Sequence, residues 1–289
     1  MLAPFGALDL GELRIDVLDG GSLAFSIERP GKRIALELAV RPLLVRTSAW
    51  SCLIDPGFGP ADPRRRERFQ LRDPVPLEQQ LDRLGVAKPD HVVLTHLHFD
   101  HAAGVLAGSA HGVRDDGHVE EARFPRAEHH VHPLEWDAAM REQRGGDLAA
   151  RIERALSRRP KSLPNGGTVL GAPGHAPRID VELARGHTEG LVAVWMHGTA
   201  GAAMFAADLV PTRKFLCARL DRMADQDPEL ARDSRIALLR RCERERAHVL
   251  FYHDRDVAFA RIQADGALPD TWHVQRDTDA PQSSHAARR

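Results

Sequence analysis

Residues 91–101 read HVVLTHLHFDH, and their reading decides the fold. His91 to Thr95 is a short apolar run that follows Pro89 and gives way to polar residues, the pattern of a strand buried on both faces. Directly after it, His96, His98, Asp100 and His101 put four metal-binding side chains into six residues. Residues two apart on a helix project roughly 200° apart, so His96 and His98 share a target only from an extended segment. The spacing therefore predicts a strand ending in a ligand-bearing loop. Imidazole and carboxylate suit zinc and similar borderline ions, and no cysteine stands nearby to build a structural thiolate site. The plain alternative is a solvated loop that happens to be histidine-rich.

Four ligands on one loop do not close a site, and three further candidates lie downstream. His187 sits in RGHTEG (185–190), a glycine-flanked turn before the apolar run LVAVWM. Asp208 ends AAMFAAD (202–208), and His253 ends HVLFYH (248–253). Each borders an apolar run, where strand ends present side chains to a cleft.

Outward from these motifs, short β-branched and apolar runs predict strands over 12–18, 42–54, 128–132, 179–183, 191–196, 202–206 and 248–252. Helical spacing predicts helices over 77–84 (with Gly85 as a stop), 134–144, 148–158 and 228–247, the last with an apolar stripe through Leu230, Ile236, Leu239 and Cys242. The charge run 64–68 reads as a loop feeding the first helix, 108–127 as an inserted hairpin or lid, and 160–174 as turn-rich. These elements predict one domain over 1–276 with a flexible tail at 277–289. No internal repeat is present.

The 289 residues hold 40 Lys plus Arg against 41 Asp plus Glu, a net charge of −1 that offers no cationic track for nucleic acid. No run approaches the roughly 18–20 apolar residues of a membrane span, and residues 1–10 lack a basic leader, so a cytoplasmic location without membrane association is expected. Cys52, Cys217 and Cys242 are too few and too far apart for a disulfide framework and are expected to be buried small hydrophobes.

The series HxHxDH (96–101), GHT (186–188), strand-terminal Asp208 and strand-terminal His253 resembles the metallo-β-lactamase-fold hydrolase superfamily. With DPGFG at 55–59 and ADLVPT at 207–212, it is most similar to the N-acyl-homoserine-lactone lactonase branch. The resemblance spans about residues 43–254. It implies an α/β fold, a metallo-β-lactamase-like αβ/βα four-layer sandwich with two mixed β-sheets. It implies that His96, His98 and His187 bind one divalent ion, that Asp100, His101 and His253 bind a second, and that Asp208 bridges them. Zinc leads as the ion, with Mn, Fe or Co as alternatives. The implied reaction is attack of a metal-bridged hydroxide on the carbonyl of a lactone or carboxylic ester, with Asp100 and Asp208 as catalytic residues and Asp100 carrying a proton to the leaving group. The implied partner is a small-molecule ester or lactone, and a homodimer is compatible with this reading.

The chain departs from the family pattern in places. Lactonases of this branch often carry a Tyr three residues beyond the bridging Asp; here that position is Pro211, and the only tyrosine is Tyr252. The family turn DTG is Asp55-Pro56-Gly57, and the His that often ends GHTxGH is Leu191. Asp55 either orients a ligand histidine or simply serves the turn.

Other conspicuous residues have plainer readings. His129, His130 and His132 alternate on one strand and read as packing or surface residues, and His111, His118 and His175 as solvated. Ser51, Ser109 and Ser157 lack GxSxG context. Trp136, Trp195 and Phe205 fit the core, while Phe99 suits either the pocket or packing beneath the metals. Arg213, Lys214 and Phe215 either reach substrate or form an exposed loop. The pocket is expected to be shaped by 108–127 and by 211–220. Alternatives to the lactonase reading are a phosphotriesterase, sulfatase or phosphodiesterase using the same site, and a metal-binding protein with a degenerate site. An oxygen-reducing relative would need a flavodoxin domain, for which the length leaves no room.

Overall fold

The computed structural model describes residues 5–29, 32–59, 61, 63–107, 121–141, 146–220 and 224–275. The expectations for the tail at 277–289, for His111, His118 and Ser109, and for 108–120 of the insertion lie outside these residues. The chain opens with β1 (Gly6–Asp9) and β2 (Arg14–Val17), runs through the hairpin β3 (Ser22–Arg29) and β4 (Lys32–Ala39), and returns in β5 (Leu43–Arg46) and β6 (Ser51–Ile54). Helices α1 (Pro63–Arg68) and α2 (Leu77–Arg83) lead to β7 (His91–Val93), a one-turn helix α3 (Phe99–Ala102), β8 (Glu128–Val131), α4 (Pro133–Arg141), α5 (Gly146–Leu156) and β9 (Lys161–Ser162). The second half contains β10 (Gly166–Leu170), β11 (Arg178–Leu183), β12 (Val192–Gly198), β13 (Gly201–Phe205), α6 (Pro228–Arg244), β14 (His248–Leu250), β15 (Phe259–Ala264) and β16 (Trp272–Val274).

Two seven-stranded sheets result, in the orders β1-β2-β5-β6-β7-β8-β9 and β10 through β16. Both are mixed. The first turns parallel from β6 to β9, and the second is antiparallel except between β13 and β14. Strand alternation sorts side chains between the faces. Along β5 and β6, Leu43, Val45, Cys52 and Ile54 join Val181, Val194, Phe205 and Val249 of the second sheet in one core. Leu44 and Leu53 point the other way and pack with Leu81 of α2, Trp136 of α4 and Ile152 of α5. Helix α6 buries Ala231, Leu238, Leu239 and Cys242 in the core that includes the second sheet. The layers are helix, sheet, sheet, helix, as the resemblance implied.

The boundary of α6 follows from its cap: Asp227 accepts the Leu230 N–H at 3.0 Å, with Pro228 entering the first turn. Its buried stripe departs from expectation, running through Ala231, Arg235, Leu238, Leu239 and Cys242 while Leu230 and Ile236 are only partly buried. Arg235 enters this stripe because its guanidinium meets the carbonyls of Leu209 at 2.6 Å and of Ala218 and Leu220 at 2.9 Å.

Four further readings change. Residues 63–68 form a helix, unseen because it buries nothing and its charges show no period. The glycine-rich stretch within 160–174 supplies β9 and β10; β10 is an edge strand with a bulge between Thr168 and Leu170, where glycine is tolerated. The β3–β4 hairpin, in which Leu23, Phe25 and Ile27 stand opposite Leu38, Leu36 and Ile34, forms a two-stranded sheet of its own and adds to the expected strands. Cys52 and Cys242 are buried as expected, but Cys217 is exposed.

Candidate metal centre

β7 stops at Val93, the chain bends at Thr95, and His98 is extended (φ −66°, ψ 148°) before α3 begins. This segment turns His96 and His98 toward one point, and the first turn of α3 adds Asp100 and His101. His187 comes from the turn between β11 and β12, Asp208 from a single 3-10 turn after β13, and His253 from the loop three residues past β14. Glycines flank His187 because helices approach there. A Cβ on Gly186 (φ +125°) would lie 2.1 Å from Ala231 N in α6, and one on Gly190 would lie 2.1 Å from Glu135 N in α4.

All seven expected donors converge between the sheets, in two groups. In the first, His98 Nδ1 lies 3.2 Å from His96 Nε2 and 3.0 Å from His187 Nε2, and His187 Nε2 lies 3.2 Å from Asp208 Oδ2. In the second, Asp208 Oδ1 lies 3.3 Å from His101 Nε2 and 3.1 Å from His253 Nε2, while Asp100 Oδ2 lies 3.5 Å from His253 Nε2. Asp208 thus turns one carboxylate oxygen to each group.

Hydrogen bonds on the far side of each ring set which nitrogen faces inward. His101 Nδ1 donates to Asp55 Oδ2 at 2.8 Å, His187 Nδ1 to Asp225 Oδ1 at 2.9 Å, and His253 Nδ1 to the Ala39 carbonyl at 2.7 Å. His96 Nδ1 lies 3.1 Å from Thr95 Oγ1, whose hydroxyl is spent on Asp55 Oδ2 at 2.6 Å. With the rings neutral, the inward nitrogens of His96, His101, His187 and His253 are therefore acceptors facing other acceptors. Tetrahedral ligands about 2.0–2.1 Å from zinc stand roughly 3.3–3.4 Å apart, close to the spacings seen. The residues fit divalent cations, as the resemblance implies.

Electrostatics agree. Burial, reinforced by neighbouring imidazoles, holds His96 well below its ordinary range and His98 at about 4. Burial also opposes charge on His101, but Asp208 and Asp55 prevail and raise it to about 10, the same negative field that favours a bound cation.

Three residues important to this geometry were missed or left open by the sequence. Asp55, in a left-handed conformation (φ 46°), accepts the Thr95 N–H at 2.8 Å besides bonding His101, so it orients a ligand in addition to making the turn. Asp225, which orients His187, carries no local motif. Glu135 of α4 is buried, and its carboxylate accepts the Leu97 N–H at 2.9 Å and the Gly190 N–H at 3.1 Å. It staples the HxHxDH loop to the His187 turn; burial raises its pKa against the pull of these two amides. Glu135→Gln replaces one acceptor oxygen with a donor and is expected to weaken metal affinity by about 10–100-fold, measured by competition with a chromophoric chelator. Unchanged affinity would remove the staple role.

Tyr252 does not replace the lactonase phenol. Its ring stacks on His101 at 4.1 Å and its buried hydroxyl donates to the Asp100 carbonyl at 2.9 Å. Tyr252→Phe is expected to cost about 1 kcal/mol of stability and to leave the substrate KM unchanged; a raised KM would place the phenol on substrate instead.

His129, His130 and His132 stay out of the centre; His129 bonds the Ala127 carbonyl and His132 bonds Asn165. Phe99 packs on Phe69 with ring centroids 5.0 Å apart. Trp136, Trp195 and Phe205 are core, and His175 is exposed. Beside His253 opens a cavity of about 680 Å³, walled by Phe25, Leu36 and Leu38 of the hairpin and by Pro211, Phe215 and Leu220. The expected loop 211–220 lines it. The opposite wall is the hairpin, which the sequence did not suggest. Arg213 also borders the cavity, with its guanidinium fixed by Asp254 at 2.8 Å and Asp256 at 2.7 Å.

No helix among the described residues is long and apolar enough to cross a membrane. No curated protein sequence matches the chain. Among solved structures, a probable metal-dependent hydrolase from Staphylococcus aureus superposes with TM-score 0.75 at 20% identity, covering 93% of this chain and 99% of its own. AidC, described as a dizinc quorum-quenching lactonase in complex with a product, superposes with TM-score 0.72 at 20% identity over 95% of this chain and 97% of its own. An N-acyl homoserine lactone hydrolase with product at its catalytic metal center gives 0.62 at 20% identity over 86% and 94%. At these identities the likeness establishes the fold. The family model of the metallo-beta-lactamase superfamily matches residues 43–253, from β5 to the last histidine of the donor array. The chain therefore belongs to the metallo-beta-lactamase superfamily, as a hydrolase of that fold.

Proposed function

We propose that the chain is a dinuclear, zinc-dependent hydrolase that opens lactones or cleaves related carboxylic esters in the cytoplasm. The observation that carries this reading is the division of the seven donors into two groups with one oxygen of Asp208 directed at each. His96, His98 and His187 would hold one ion, Asp100, His101 and His253 the other, and Asp208 both. Such ions, when bound, acidify a water and polarise the carbonyl it attacks.

The protein's own residues supply the rest. Asp55, Asp225 and the Ala39 carbonyl fix the ring orientations, and Glu135 holds the two ligand loops in register. Asp100, in the first turn of α3 and partly exposed, would pass a proton to the departing oxygen. The cavity adds selectivity. Its walls are mainly apolar, and its charges balance, with Glu37, Asp254 and Asp256 against Arg213, Lys214 and Arg255. Arg213 is paired with both aspartates and Arg255 with Glu37 at 2.8 Å. Such a pocket favours a neutral substrate with an apolar tail over an anionic sulfate ester or phosphodiester.

The test is a turnover screen of the zinc-loaded protein against lactones of varied acyl length, aryl esters, phosphotriesters and sulfate esters. Metal-dependent ring opening that improves with acyl length is the expected result. Rapid phosphotriester cleavage without lactone opening would move the assignment to the neutral phosphoryl class.

A further inference from the structure

We propose a separate transition-metal site, formed by His91, Glu128 and His130 at the end of β7 remote from the seven-donor centre. β7 and β8 run parallel, with His91 opposite Glu128 and Val93 opposite His130. Alternation puts His91 and Val93 on one face of β7, and Glu128 and His130 on the same face of β8. The register therefore gathers all three side chains. His91 Nδ1 lies 3.3 Å from His130 Nε2 and 3.6 Å from Glu128 Oε2. These spacings are near the roughly 3.3–3.4 Å separating tetrahedral ligands of zinc.

Two imidazoles and one carboxylate, with a position left for water, form a donor set for zinc, cobalt, nickel or copper. His130 is buried, whereas the side chains of His91 and Glu128 are 19% and 44% exposed, so an ion can enter from solvent. Lys161 donates to Glu128 Oε1, which leaves Oε2 turned toward the rings. Burial keeps both rings below their ordinary range, His130 at about 4, so lone pairs are available near neutral pH. His91, Glu128 and His130 group together without any of the seven other donors, so this site is not part of the first. The ordinary alternative is an imidazole–imidazole hydrogen bond beside an ion pair.

Zinc alone is the probe. Wild-type protein and His91→Gln, both with the main centre loaded, are dialysed against increasing micromolar zinc and their metal content is measured. The wild type is expected to take up one ion more per chain than His91→Gln, and added zinc should raise its Tm but not that of the variant. Glu128→Gln, at a half-exposed position, should lose the same increment, which keeps the question decidable if His91→Gln folds poorly. Lys161→Met, lacking a cation that competes for the carboxylate, should bind the extra ion several-fold more tightly. Ester turnover should match wild type in all three. The difference in metal content does not depend on how many ions the main centre holds. Equal metal content and equal Tm response in wild type, His91→Gln and Glu128→Gln would leave only the hydrogen bond and overturn the proposal.

Discussion

Asp208→Ala is expected to leave at most one ion at the main centre and to lower turnover by about a thousand-fold. The carboxylate is the only donor shared by the two groups, with Oδ2 at 3.2 Å from His187 Nε2 and Oδ1 at 3.1 Å from His253 Nε2. Removing it deletes a ligand from each group and the negative charge that screens two cations from each other. Charge stabilisation by such ions contributes several kcal/mol, and each 1.36 kcal/mol corresponds to about tenfold in rate. Metal analysis and kinetics on the same preparation check both parts. A variant that keeps two ions but loses turnover would show that Asp208 acts on substrate without bridging, and one that keeps both would sink the assignment.

Complete removal of metal by a chelator is expected to abolish turnover and to lower Tm by roughly 10 °C. The reason lies in the buried acceptors: five imidazoles and two carboxylates face one another with spacings of 3.0–3.5 Å. A cation bound to the folded state alone stabilises it by about 4 kcal/mol at a thousand times its Kd. In a chain of this size each kcal/mol shifts Tm by about 2–4 °C. Readdition of zinc should restore both properties, as followed by thermal denaturation and ester hydrolysis. A metal-free protein that melts at the original temperature would mean the donors are satisfied without ions.

The resemblance that revealed the family was legible because its parts are local. HVVLTHLHFDH joins a buried strand to an extended ligand loop within eleven residues, and GHT, Asp208 and His253 each sit at the end of an apolar run. Strand alternation and helical stripes depend on neighbours two to four positions away, so both sheets' central strands and α2, α4, α5 and α6 could be read directly. Among the elements that escaped, α1 buries nothing and β10 is a glycine-rich edge, whereas the β3–β4 hairpin does carry a period of two, with Leu23, Phe25 and Ile27 opposite Leu38, Leu36 and Ile34, although it was not expected as strand.

The sequence alone thus determined the fold class and brought out the seven side chains as candidate donors. Only the tertiary structure decided how the donors are held and what they face. Glu135 meets Leu97 across 38 residues, Asp225 meets His187 across 38, Asp55 meets His101 across 46, and the Ala39 carbonyl meets His253 across 214. The same holds for Tyr252, whose hydroxyl reaches the Asp100 carbonyl across 152 residues, and for the hairpin wall of the cavity. A buried polar group must find a partner wherever the packed chain brings one, and that pairing follows from how the two sheets and their helices meet in space, which no local spacing encodes.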